Sequence, residues 1–212
     1  MNTIHRADII GKIRTAIDDI LPPEAMDSFS DDTGDELWQA TIHAVGQLSL
    51  ELPIHLLDVS IKGGDGTIDT DRGFAYLALP SDFLRFVSLD VTGWAGILAE
   101  LIEPGSDAEK MQRSPWSRGT ATKPKAMIDH DDKGNRLIVW WPGDAEHKAG
   151  QLTYVAAPTV NDADATESDE ASIDCAIRDE AEQYIIYRAA SIFFEGKKET
   201  DIAEKFRNIV SL

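Results

Sequence analysis

Between about residues 56 and 160 the chain lacks the helical period that governs both of its ends. Short β-branched and aromatic runs close there on proline and glycine: Leu79-Pro80-Ser81-Asp82-Phe83, Ser114-Pro115-Trp116-Ser117-Arg118-Gly119, Lys123-Pro124, Leu137 to Pro142 (LIVWWP), Leu152-Thr153-Tyr154 and Ala157-Pro158. Proline interrupts helices and blocks interior ladder bonds, so punctuation this dense leaves room only for short strands and turns. Apolar stripes of helical spacing flank this region. Strands and helices segregated along the chain predict an α+β fold. N- and C-terminal helices are expected to form a bundle, with a small antiparallel β-sheet or hairpin region inserted over about 56–160. Residues 1–212 are read as a single domain.

The first helix is expected over 3–21, where Ile9, Ile10, Ile13, Ile17, Ile20 and Leu21 fall at steps of three and four before Pro22-Pro23. An acidic loop follows, with Phe29 as its one large anchor. Thr33 and Glu36 have the spacing of a capping box and open a helix over 33–52. Its buried face is Trp38, Ile42, Val45 and Leu48, and Pro53 ends it. Leu57 to Ile61 alternates as a strand into the turn-like Lys62-Gly63-Gly64-Asp65-Gly66, with a hairpin return over Ile68–Leu79. Further strands are expected at Phe83–Val91, Ala126–Ile128, Leu137–Trp141 and Gln151–Val155, with a tight turn at Asp131–Asn135. An acid-rich loop over 158–171 precedes the longest helix, 172–195, which Gly196 caps in a left-handed conformation. A last helix covers 200–211, with Ile202, Phe206, Ile209 and Val210 on one face.

The formal net charge of −18 argues against broad binding of nucleic acid, which needs basic side chains to displace phosphate counterions. It is compatible with a protein that surrounds DNA without gripping it. The lone Cys175 forms no intrachain disulfide and is expected in a buried helix position, as suits a reducing compartment. No signal peptide opens the chain and no run of about 20 apolar residues spans a bilayer, so cytoplasmic synthesis without membrane attachment is expected.

Catalytic motifs are weak. Asp129-His130-Asp131-Asp132 resembles a metal cluster, and a metal-dependent hydrolase on Asp129, His130 and Asp132 is one reading. The following Lys133-Gly134-Asn135 favours a solvated hairpin turn. Residues 62–67 lack the Gly-Lys-Ser/Thr ending of a phosphate loop. Asp65, Asp69 and Asp71 lack the closing glutamate of a calcium loop. The histidines form no HExxH pair, and Ser81, Ser106 and Ser114 sit in no nucleophile elbow. No catalytic residue, cofactor or metal is assigned.

The basic residues are more informative. Lys110, Arg113, Arg118, Lys123 and Lys125 fall within sixteen positions holding no acid, with Met111, Pro115 and Trp116 among them. Met, Trp and Arg are enriched at protein interfaces. One reading is a loop meeting an acidic face of the next subunit, for which 24–36 and 158–171 supply acid. The other is a loop whose Trp116 packs on its own sheet. Trp140 and Trp141 alternate faces on one strand, so Trp141 is an interface candidate unless a neighbouring element covers it.

The ordered set of these elements resembles the head-to-tail adaptor (connector ring, head-completion) proteins of tailed bacteriophages and prophages. The resemblance rests on Leu79 to Arg85 with Val87, Arg118-Gly119 with Pro124, Trp141-Pro142-Gly143-Asp144, Tyr154 with Pro158, and Tyr187 with Ala190, spanning about 75–195. The chain departs from the pattern in the wider Gly119–Pro124 spacing and in a glycine-rich hairpin at 62–73. The resemblance implies a structural virion protein rather than an enzyme. It implies a homo-oligomeric ring of twelve copies at the head–tail junction, assembled in the host cytoplasm. Its partners would be itself, the portal protein and a tail protein, with DNA passing through the lumen without specific binding. It also implies a C-terminal segment reaching the portal, here Lys197, Lys198, Lys205, Phe206 and Arg207; a helix closing the domain's own core is the alternative. Another tail-completion or baseplate protein of the same layout is the rival assignment.

Overall fold

A computed structural model describes residues 1–21, 33–161 and 170–209. The expectations for Pro22-Pro23, the acidic loop with Phe29, the acids at 162–169 and Val210 lie outside the described residues. The described chain forms ten strands in three antiparallel sheets and five α-helices. This corrects the expected helix bundle with a small β insertion. The strand content is substantial, and one sheet is built from the two ends of the chain. Two compact units result: residues 1–58 with 156–212, and residues 59–155.

The first unit opens with β1 (Asn2–His5), where helix was expected from residue 3. Helix α1 (Arg6–Ile20) follows and buries Ile9, Ile13 and Ile17. Helix α2 (Gly34–Glu51) buries Leu37, Trp38, Val45 and Leu48 and stops before Pro53. Thr33 makes no side-chain capping bond to it, because its ψ of −2° is already helical rather than extended. In the second half of the chain come β9 (Thr159–Asn161), β10 (Ser172–Cys175), α4 (Glu182–Gly196) and α5 (Thr200–Ile209). The expected helix at 172–195 therefore begins ten residues late. Ile173 and Cys175 are buried, and backbone pairing with β1 and β9 on either side satisfies their strand. Cys175 is buried, but in a strand, and burial pushes its thiol up to about 11. Gly196 is the last helical residue; the left-handed position past it is Lys198, with φ of 65°.

Helix α4 packs on α1, α2 and α5. Phe206 is fully buried and stacks on Phe194 at 5.6 Å, and Ser191 Oγ donates to the Ala203 carbonyl at 3.0 Å. The last helix thus closes its own core.

Asp174 ties the terminal sheet together, accepting from Thr3 Oγ1 on β1 at 2.6 Å and from Asn161 Nδ2 on β9 at 2.7 Å. The Thr3 bond first, then the Asn161 bond, holds its carboxyl below the ordinary value of 3.8. A depressed folded-state value gives stability that is present above the unfolded pKa and lost as pH falls through the folded one. Melting curves at neutral pH and at about pH 3 should show a larger acid-induced drop for the native chain than for Asp174→Asn. Equal drops would show that the carboxylate contributes nothing there.

The second unit holds two sheets. One has the order β2 (Ser60–Asp65), β8 (Ala149–Ala156), β5 (Phe83–Val91). The other runs β3 (Thr67–Asp69), β4 (Phe74–Ala78), β7 (Arg136–Trp141), β6 (Lys125–His130). Lys62–Asp65 was expected as a hairpin tip but is strand, registered against Leu152 to Ala149. Gly64 and the Gly66 that follows the strand serve close approach: a Cβ at Gly66 would overlap the Trp140 ring, and one at Gly64 would touch Leu77. Trp140 is fully buried and Trp141 nearly so. Trp141 packs with Met127 and Val139, and Phe74 meets it edge-on at 5.9 Å. Most of the ring is thus covered by its own unit.

Candidate functional site

The basic segment begins in helix α3 (Asp107–Gln112) of the second unit. Ser106 caps this helix by accepting from the Glu109 amide at 3.3 Å. Two of the five basic residues are paired locally. Lys110 meets Asp107 at 2.8 Å, and Arg113 meets Glu109 at 3.3 Å. The Gly105 amide and then Arg113 hold the Glu109 carboxyl below its ordinary value.

The loop after α3 is fixed by short-range bonds. Gln112 is buried, donates to the Ala108 carbonyl and accepts from the Gly119 amide at 2.7 Å. Ser117 Oγ donates to the Met111 carbonyl at 2.7 Å. Gly119 runs against the neighbouring backbone, where a Cβ would sit 2.9 Å from the Trp141 carbonyl oxygen. Arg118 crosses to the β3–β4 turn and donates to the Arg72 carbonyl at 3.0 Å. It covers Gly73, whose φ of 66° suits glycine. Arg118 is therefore committed inside its unit.

These bonds present Trp116 outward. Its side chain is 97% exposed, so it does not pack on its own sheet. Met111 is 57% exposed on the adjoining helix. Lys123 and Lys125 are exposed and make no ion pair among the described residues. Trp116 is thus held by its loop but left uncovered, beside lysines that make no ion pair among the described residues.

Beside this loop lies a groove of about 560 Å³. Phe74, Met127, Val139 and Trp141 line it, and Arg72, Arg113, Arg118, Asp71, Glu109 and Asp129 add mixed charge. The Asp129–Asp132 segment behaves as a turn. Asp131 accepts from the amides of Lys133 at 2.9 Å and Asn135 at 2.8 Å, and from Asn135 Nδ2 at 2.8 Å. Asp129 accepts from the His130 amide. Among the described residues no three His, Cys, Asp or Glu side chains come together as a ligand set.

The C-terminal candidates lie in the first unit. Lys197 pairs with Glu36 at 2.5 Å and sits over the Phe193 ring at 5.4 Å. Arg207 pairs with Glu195. Lys198 occupies the left-handed turn, and Phe206 is internal. Of this group only the charged side chains reach solvent.

Charge is divided unevenly between the units, which the overall composition hides. Residues 59–155 carry 11 basic and 14 acidic side chains, a net of −3. The rest of the chain carries 9 and 24, a net of −15. The one acid-free basic stretch thus belongs to the nearly neutral unit. Sequence reading also passed over Ile97, 66% exposed, because Gly93-Trp94-Ala95-Gly96 around it gave no period to follow.

No helix among the described residues is long and apolar enough to cross a membrane. The family model described as SU10 adaptor protein matches residues 6–210. No curated protein matches the chain.

Proposed function

Because this chain belongs to the SU10 adaptor protein family of phage head–tail adaptors, we propose that it forms a ring of identical subunits between the portal and the tail. The ring has twelve copies, extends the DNA exit channel and gives tail proteins a platform. The family is a structural one, and this role needs no chemistry.

The observation that carries the reading is Trp116, held outward by its own loop in the less acidic unit. A head-to-tail contact sets this loop, with Met111, Lys123 and Lys125, against the strongly acidic unit of the next subunit. Contacts between unlike surfaces propagate until they close into a ring. Opposite local charge selects this orientation over the alternatives between chains that otherwise repel. The acid left facing the lumen repels phosphates, so DNA slides without sticking.

Quantitative mass spectrometry of purified particles tests the reading. Copies of this chain should match copies of portal protein at about one to one, the stoichiometry of a ring matched to its neighbour. Absence from otherwise complete particles would sink it.

A further inference from the structure

We propose that the outer edge of β2 takes up an extended segment of a neighbouring virion protein as a fourth strand of the β2–β8–β5 sheet. The inference rests on the adaptor reading only in placing the chain in a particle.

The ladder phase defines the edge. The Gly66 amide donates to the Lys148 carbonyl at 2.8 Å, directly opposite in the β2–β8 register. Antiparallel pairs alternate, so Ser60, Lys62 and Gly64 also face β8, while Ile61, Gly63 and Asp65 turn their N–H and C=O groups away. The far side of β8 agrees: the Ala149 carbonyl, opposite Asp65, accepts from the amide of Thr92, the residue after β5. Three alternate residues therefore present backbone groups, unpaired among the described residues, in one row. Ile61 is 61% exposed, and Gly63 has open space where a side chain would stand.

Two other edges of this unit, β5 and β6, are blunted. Leu89 of β5 exchanges both backbone bonds with Leu98. On β6 the Ala126 carbonyl accepts from Ile102, and the Asp129 side chain occupies the His130 amide. Proteins commonly protect open edges with such bonds, with proline, with bulges or with a lysine. Among the described residues edge β2 has no such bond, proline or bulge and carries only Lys62 as a charge of this kind, a charge that a strand bearing a carboxylate would pair.

A second copy is a poor occupant. In the first unit the same phase argument leaves β9 only Val160 facing outward, and β1 only Thr3 and His5, so neither matches three. Pairing β2 with itself about Gly63 sets Ile61 opposite Asp65 and joins two chains of net charge −18. Lys62 makes no ion pair among the described residues. The fitting partner strand carries an apolar side chain opposite Ile61, a carboxylate opposite Lys62, and bulk opposite Gly63.

Residue-resolved hydrogen exchange on the free chain and on purified particles tests this. The Ile61, Gly63 and Asp65 amides should exchange fast in the free chain and at least about 100-fold slower in particles. The Lys62 and Gly64 amides should be slow in both. Gly63→Pro removes an outward amide and spares the β8 ladder. It should melt within a few degrees of the native chain and enter particles at least about tenfold less. Particles that contain the chain with fast edge amides overturn the inference and leave the adaptor reading standing. Protection in a concentrated solution of the chain alone identifies a second copy as occupant and overturns the partner. Particles lacking the chain sink both readings.

Discussion

Trp140→Ala is expected to lower the thermal midpoint of residues 59–155 more than any other single truncation in that unit. The ring is fully buried at the meeting of the two sheets. It lies over Gly66, and on Gly150 a Cβ would stand 3.4 Å from it, with Leu89 alongside. Its Nε1 also donates to the His147 carbonyl at 2.9 Å. Truncation leaves a cavity whose walls are largely backbone, which collapses poorly, and orphans the His147 carbonyl. Large-to-small aromatic changes of this kind cost roughly 3–5 kcal/mol. In a domain of this size that is a fall of roughly 15–30 °C. Differential scanning calorimetry checks it. A fall under about 5 °C would show that the ring is not the centre of this core.

Trp116→Glu should do the reverse. The side chain is almost wholly in solvent, so the free subunit should melt within about 2 °C of the native chain. Incorporation into particles should fall at least about 30-fold, because an anchor tryptophan contributes about 2 kcal/mol or more and the new carboxylate faces an acidic neighbour. Counting subunits per particle by mass spectrometry, with melting curves on the same preparations, separates folding from assembly. Native copy number in the variant would remove the loop from the contact. The two tryptophans stand 24 positions apart, and their expected effects fall on different observables.

Helix stripes were legible where the period is long and capped by proline. Ile9, Ile13 and Ile17 in α1, and Leu48 before Pro53 in α2, are buried as their spacing predicts. The hairpin of β6 and β7 was legible from β-branched runs around Asp131–Asn135. The strands of the terminal sheet were not. Asn2–His5 and Ser172–Cys175 have four residues each, too few to reveal a period, and they become strands only because they meet each other. Lys62–Asp65 reads as a turn because glycine usually marks turns. There Gly64 and the next glycine, Gly66, instead make room for Leu77 and Trp140, side chains at distant positions.

The candidate site shows the same division. Composition alone marks out the acid-free stretch from Lys110 to Lys125. It does not sort Trp116 from Trp141, or Lys123 from Arg118. That sorting depends on which side chains find partners. Arg118 finds the Arg72 carbonyl, and Trp141 finds Phe74 and Met127. Phe206 finds Phe194. Trp116 finds nothing within its own loop to cover it and is left in solvent.

The sequence by itself determined the long helices, the Asp131–Asn135 hairpin, the basic segment and the family pattern. Each depends on residues close together in the chain, where period, capping and turn chemistry act locally. Only the tertiary structure decided the three sheets, the joining of the chain ends, the burial of Trp141 and Phe206, and the open edge at Ile61–Asp65. Those depend on pairings up to about 170 positions apart, set by which surfaces exclude water together and which backbone groups find partners.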